Sequence, residues 1–128
     1  MYAVELDRSK RLLVITSAQR VTDEEVKAIA KSARKLLRDV APGFHVLADF
    51  RLLESMDSAA ARHIAEIMDA LAEKQVASVT RVMPDPRKDI GLNILSQFHY
   101  GPHVTVTTFE TLADAIQSIA AKADFSSA

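Results

Sequence analysis

The sequence predicts an α/β fold: one domain with a mixed sheet, a hairpin first and largely parallel strands after it. Three observations carry that expectation. Two runs rich in β-formers, Tyr2 to Leu6 and Leu12 to Thr16, flank the polar stretch DRSKR, the pattern of an antiparallel hairpin. Beyond them strands and helices alternate in the order β-β-α-β-α-β-α-β-α, which calls for parallel neighbours joined by right-handed crossovers. Phe44 to Phe50 is a near-continuous apolar run, the mark of a strand covered on both faces.

The first helix opens on a complete start device. Thr22 and Glu25 have the spacing of a capping box, and Val21 and Val26 sit where a hydrophobic staple packs. Val26, Ile29, Ala30, Ala33, Leu36, Leu37 and Val40 then hold a 3.6-residue period with Lys and Arg on the other face, and Pro42-Gly43 stops it. After the apolar strand, a helix over 58–75 presents Ala60, Ile64, Ile67, Met68 and Leu71 on one face. Ala61, Ala65 and Ala72 widen that apolar arc, as a broad core face or a groove requires. Val76 to Met83 is a further strand. Asp85-Pro86 is an N-cap followed by proline at the first helical position. Ile90, Ile94, Leu95 and Phe98 are the expected buried stripe of that third helix, which Tyr100-Gly101-Pro102 ends. Gly91 inside it implies either close packing or a tolerated irregularity. Val104 to Thr108 is the last strand. Leu112, Ala115, Ile116 and Ile119 mark the last helix, and the tail over 121–128 is polar enough to fray.

Composition narrows the function. The chain has 128 residues and a formal charge of -1, which supplies no overall attraction to nucleic acid or anionic membranes. No window is apolar enough for a membrane span and no signal-peptide pattern opens the chain, so a cytoplasmic location is expected. With no cysteine, disulfides, thiolate nucleophiles and Cys-based zinc sites are excluded. His99 and His103 are separated by Gly101-Pro102 and cannot share a helix face. The four histidines are therefore expected at the surface or its boundary, with no metal and no cofactor. Three glycines leave no material for a phosphate-cradling loop, and no nucleophile elbow or zinc-protease signature occurs. Ser96, His99 and Asp89 lie on one helical segment, where a catalytic triad rarely aligns. No catalytic residue is expected.

The stretch His45 to Leu71 carries a resemblance. STAS domains, the class of the sporulation anti-sigma-factor antagonists, have a strand ending in Asp-Leu-Ser and, eight residues after that Asp, an Asp-Ser-Ser-Gly at a helix start. Asp49-Phe50-Arg51 and Asp57-Ser58-Ala59-Ala60 stand here at the same separation. The element order over residues 2 to 121 matches as well. The chain resembles in particular the SpoIIAA-like (STAS/SEC14-type) branch of small bacterial proteins, whose members share a Thr-Asp-Glu-Glu helix start. The resemblance implies a regulatory or protein-interaction module rather than an enzyme. It also places the phospho-acceptor serine of the antagonists at Ala59 and their glycine at Ala60, so the acceptor is missing, and Ser58 falls to the role of a helix cap.

Asp23, Asp57 and Asp85 stand at helix starts. Each favours the positive helix end by roughly 0.3–1 kcal/mol, or together they form an acidic rim for a basic segment or a cation. Arg20, Arg51 and Arg87 are close enough in sequence to neutralise it. The expected interaction surface comprises Asp23, Asp49, Asp57, Ser58, Ala59, Arg62 and Asp85. The expected partners are another protein and a second copy of the chain, with no nucleic acid and no integral membrane association. The alternative is a carrier for a small apolar or lipid-like ligand, with Phe98, Tyr100 and Phe109 as its aromatics.

Overall fold

The structure is a computed structural model and describes residues 1–123. In chain order the elements are β1 (Tyr2–Asp7), β2 (Leu12–Ser17), β3 (Gln19–Val21), α1 (Asp23–Leu36), β4 (His45–Asp49) and β5 (Leu53–Met56). A 3-10 turn (Ser58–Ala60) follows, then α2 (Ala61–Glu73), β6 (Ser78–Val82), α3 (Pro86–His99), β7 (Thr105–Phe109) and α4 (Leu112–Ala123). Five strands form a mixed sheet in the order β1-β2-β4-β6-β7, antiparallel between β1 and β2 and parallel elsewhere. The expected fold class is what is observed.

The parallel strands step across the sheet in one direction, so crossovers of one hand place their helices on one face. That face carries the main core, where Leu13, Ile15, Val46 and Val79 of the sheet meet Ile29, Ala33 and Leu71 of α1 and α2. α3 packs beside α2, through Leu92 against Ala48 and Met68. α4 covers the opposite face, setting Ala115 and Ile119 on Leu47 and Val82. β4 and β6 are the central strands. Every residue from Val46 to Phe50 and from Ser78 to Met83 is buried, which accounts for the near-continuous apolar run of Phe44 to Phe50.

Local signals at α1 operate as expected. The Glu25 amide donates to Thr22 Oγ1 at 3.2 Å, the Thr22 amide donates to Glu25 Oε1 at 3.1 Å, and Val21 and Val26 are both buried together. The helix ends earlier than its apolar period, at Leu36, and turns carry the chain on to Gly43, whose φ of +90° suits a residue without Cβ.

Five features differ from the expectations or decide between them. β3 and β5 were not anticipated; they pair in parallel as a separate two-stranded sheet, and three to four residues are too short to show a period. Of the expected stripe of α3, Ile90, Ile94 and Phe98 face outward at 59, 52 and 79% exposure and Leu95 packs half-buried against the core, while Asp89, Leu92 and Ser96 point inward. Ile116 of α4 is also exposed. His63, expected at the surface or its boundary, is buried on α2, and its Nδ1 lies 3.6 Å from Glu66 Oε1, too far for a hydrogen bond. A Cβ built at Gly91 would meet nothing within 4 Å, so close packing is not the reason for that glycine. The expected fraying of 121–128 falls mostly outside the described residues; within them α4 runs to Ala123.

Candidate functional site

The β3–β5 ribbon sets up the site. It ends on Val21 and Met56, so the residues that follow, Thr22 and Asp57, bring the starts of α1 and of the 3-10 turn together. The Gln19 amide donates to the Leu52 carbonyl at 2.7 Å and the Asp57 amide to the Val21 carbonyl at 3.1 Å, which fixes both chain segments. Val21, Val26 and Ala60 bury the junction, with Met56 and Ile64 against them.

Each expected arginine meets a carboxylate. Arg20 Nη2 lies 3.1 Å from Asp57 Oδ1, Arg51 Nη2 is 2.9 Å from Asp49 Oδ2, and Arg87 Nε is 3.2 Å from Asp85 Oδ1. Burial raises the pKa of Asp49, but hydrogen bonds from the Arg51 side chain and amide outweigh it and hold the carboxyl below its ordinary value. The side-chain and backbone hydrogen bonds of Arg87 lower Asp85 likewise. Asp85 also caps α3, accepting from the Arg87 amide at 3.1 Å. Ser58 does not perform the cap expected of it: neither it nor Asp57 makes a side-chain capping bond among the described residues, and α2 proper begins at Ala61.

Between β5, the 3-10 turn and α3 runs an open groove of about 380 Å³. Leu53, Met56, Ile64, Leu92 and Ile94 make it apolar, and Asp57, Ser58 and Lys88 set its polar edge. Lys88 Nζ donates to the Leu53 carbonyl at 2.9 Å, tying α3 to β5. Of the expected surface, Asp57 and Ser58 line this groove. Asp23, Asp49, Ala59, Arg62 and Asp85 lie on the surrounding elements and do not line it.

The polar centre that sequence reasoning missed lies beneath α3. Arg81 of β6 is 2% exposed and Asp89 5%. Arg81 Nε donates to Asp89 Oδ1 at 2.9 Å, Nη1 to Ser96 Oγ at 2.9 Å and Nη2 to Asn93 Oδ1. Asp89 Oδ2 accepts from Asn93 Nδ2 at 3.0 Å and from Thr108 Oγ1 of β7 at 2.8 Å. A signal for it existed: Arg81 is the one charged residue of its strand and needs partners there, and Asp89, Asn93 and Ser96 offer them at helical spacing. No buried side-chain nitrogen or oxygen of the cluster is left without a partner. Ser96 Oγ also donates to the Leu92 carbonyl, and His99 turns away to Asp69 at 2.8 Å, so Asp89, Ser96 and His99 share no catalytic geometry.

Arg81, Ser17, Tyr100 and apolar side chains of the core line a part-open cavity of about 60 Å³. Burial raises the pKa of Tyr100, against the opposing influence of Arg81, and keeps its hydroxyl neutral. No three His, Asp or Glu side chains converge as a metal site among the described residues, and no helix among them is long and apolar enough to cross a membrane.

No protein-family model matches the chain, and no curated protein sequence matches it. Solved structures do. An uncharacterised DUF3478-family protein of Shewanella loihica PV-4 with a SpoIIAA-like fold superposes with a TM-score of 0.71 at 17% identity, over 92% of this chain and 93% of that one. The unphosphorylated anti-sigma factor antagonist SpoIIAA gives 0.64 at 18% identity, over 93% and 97% of the two chains. An anti-sigma factor antagonist of Mycobacterium paratuberculosis gives 0.59 at 18% identity, over 93% and 92%. The mixed five-stranded sheet with the hairpin at its edge is a SpoIIAA-like fold.

Proposed function

We propose that the protein is a non-enzymatic regulatory module that binds another protein through the groove at the start of α2 and the adjoining face of α3. The carrying observation is the exposed row Ile90, Ile94 and Phe98, which lies one helix face away from the groove and continues its apolar lining through Ile94. Aliphatic and aromatic side chains of this size are the usual anchors of protein contacts. Asp57 and Ser58 at the rim supply polar specificity. The fold is shared with anti-sigma factor antagonists, which supports a regulatory role. SpoIIAA has been solved in a phosphorylated form. Here the position that the resemblance assigns to the acceptor is Ala59, and we infer that this module is not controlled by phosphate at that loop.

The test is a pull-down from native lysate, with and without nucleotides, using the wild-type chain and an Ile94→Asp/Phe98→Asp variant. A partner enriched by the wild type and lost with the variant is expected. No enriched partner, or one that the variant retains, overturns the reading. Intact-mass analysis of protein from its native cell is expected to find no stoichiometric phosphate at Ser58. Association of two copies is part of the same proposal; a strict monomer by light scattering at high concentration removes it.

The alternative, a small apolar ligand, has the part-open core cavity as its supporting observation. Its size sets the limit. About 60 Å³ is roughly twice the volume share of one liquid water, which suits a molecule of a few heavy atoms and not a lipid chain. Native mass spectrometry of freshly purified protein tests it, and a consistently bare mass rejects it.

A further inference from the structure

Helix α1 carries Lys27, Lys31, Arg34, Lys35 and Arg38 along or just beyond its length, with no acidic residue between Glu25 and Asp39. Steps of four, three and one residues keep these cations on one side of the helix and its exit. With Lys74 at the end of α2 they line an open groove of about 640 Å³ between α1 and α2, floored by Ala30, Leu37 and Ala70. Two carboxylates, Glu66 and Glu73, belong to the α2 wall. None of the six cations forms an ion pair within 4.0 Å among the described residues. Lys27 and Lys31, Lys31 and Lys35, and Arg34 and Arg38 are like charges four residues apart, a spacing that works against a helix. The near-zero net charge hides this segregation.

We propose that the α1–α2 groove is a docking site for an acidic amphipathic helix of a partner protein. Charge complementarity selects the occupant, and the details of the groove exclude its competitors. Carboxylates at helical spacing meet the α1 cations, small apolar side chains lie along the aliphatic stems of those cations over the nearly closed floor, and a neutral or basic edge faces Glu66 and Glu73. Duplex nucleic acid is disfavoured because its second strand meets those glutamates; the lining also holds no aromatic ring on which an unpaired base would stack. A bilayer is flat, whereas this surface is concave. The exposed large hydrophobics, Met1, Tyr2, Leu52, Ile90, Ile94, Phe98 and Ile116, all lie off α1 and α2, leaving nothing there to insert. The groove shares no residue with the α3 surface, so this inference stands or falls independently of it.

Fluorescence anisotropy of a labelled synthetic helix of about five turns, with Glu on one edge, a Leu/Ala seam and Lys on the other edge, tests the proposal against the full chain. Saturable binding is expected, weakening with salt and at least about tenfold weaker in Lys31→Glu/Lys35→Glu, a change that replaces two charge pairs by repulsions. A peptide with Glu and Lys exchanged is expected to regain affinity for that variant. Circular dichroism confirms that the variant is folded; should it not be, Arg34→Gln/Arg38→Gln takes its place. Absence of saturable binding, equal binding of a scrambled peptide, undiminished binding by the folded variant, or tighter binding to phosphatidylserine vesicles or a DNA duplex overturns it.

Discussion

Arg81 Nε lies 2.9 Å from Asp89 Oδ1, and both side chains are withdrawn from water beneath α3. This pair decides how α3 lies on the sheet. A guanidinium on a central strand cannot be left uncompensated, because a buried charge without a partner is strongly destabilising. The helix therefore turns its Asp89–Leu92–Ser96 side inward and leaves Ile90, Ile94 and Phe98 outside. The outward apolar row of the proposed contact surface is a consequence of the buried ion pair.

Breaking the pair from one side is the first test. Asp89→Ala is expected to destabilise the fold by about 3–5 kcal/mol, since Arg81 stays buried without its counter-charge. Arg81→Met combined with Asp89→Leu is expected to recover at least half of that loss. Urea unfolding of the three proteins measures both, and equal losses in single and double variants contradict the assignment.

Second, Phe98→Gln and Ile94→Gln are expected to change stability by no more than about 0.5 kcal/mol, as surface substitutions do. Leu92→Ala on the inward face of the same helix is expected to lose about 2–5 kcal/mol. A large loss at Phe98 places that side chain in the core.

Third, helix starts differ in worth. Thr22→Ala removes one half of a reciprocal capping box and is expected to lower stability by about 1 kcal/mol. Arg20→Ala removes an ion pair whose arginine is mostly exposed, and a change below about 0.5 kcal/mol is expected. Thermal unfolding at fixed pH separates the two.

Fourth, acid is expected to weaken the fold in two stages. Burial lowers the pKa of His45 below its ordinary 6.5, with Arg11 and Lys122 adding repulsion, so folding favours the neutral ring. Its contribution is complete above pH 6.5 and is lost as the pH falls through the lowered folded value. Asp49, whose pKa in the folded chain is below the ordinary 3.8, contributes above that value and loses its contribution as the pH falls further. Stability measured against pH is expected to flatten in the first stage for His45→Gln and in the second for Asp49→Asn.

The amino-acid order by itself determined the alternation of strands and helices, the hairpin, the α1 capping box and the covered strand Phe44 to Phe50, because each rests on a local period or a contact three residues away. The spacing of Asp49 and Asp57 likewise marked the loop on which the groove is built. Tertiary structure alone decided three things. β3 and β5 find each other across more than thirty residues, with too few residues each to carry a pattern. The facing of α3 depends on Arg81 of another element, so its own periodicity points the wrong way. The basic stripe of α1 was visible as a polar face, but only the packing of α2 beside it makes that face the wall of a groove. A helix period records which residues share a side; the partner across the gap decides which side is buried.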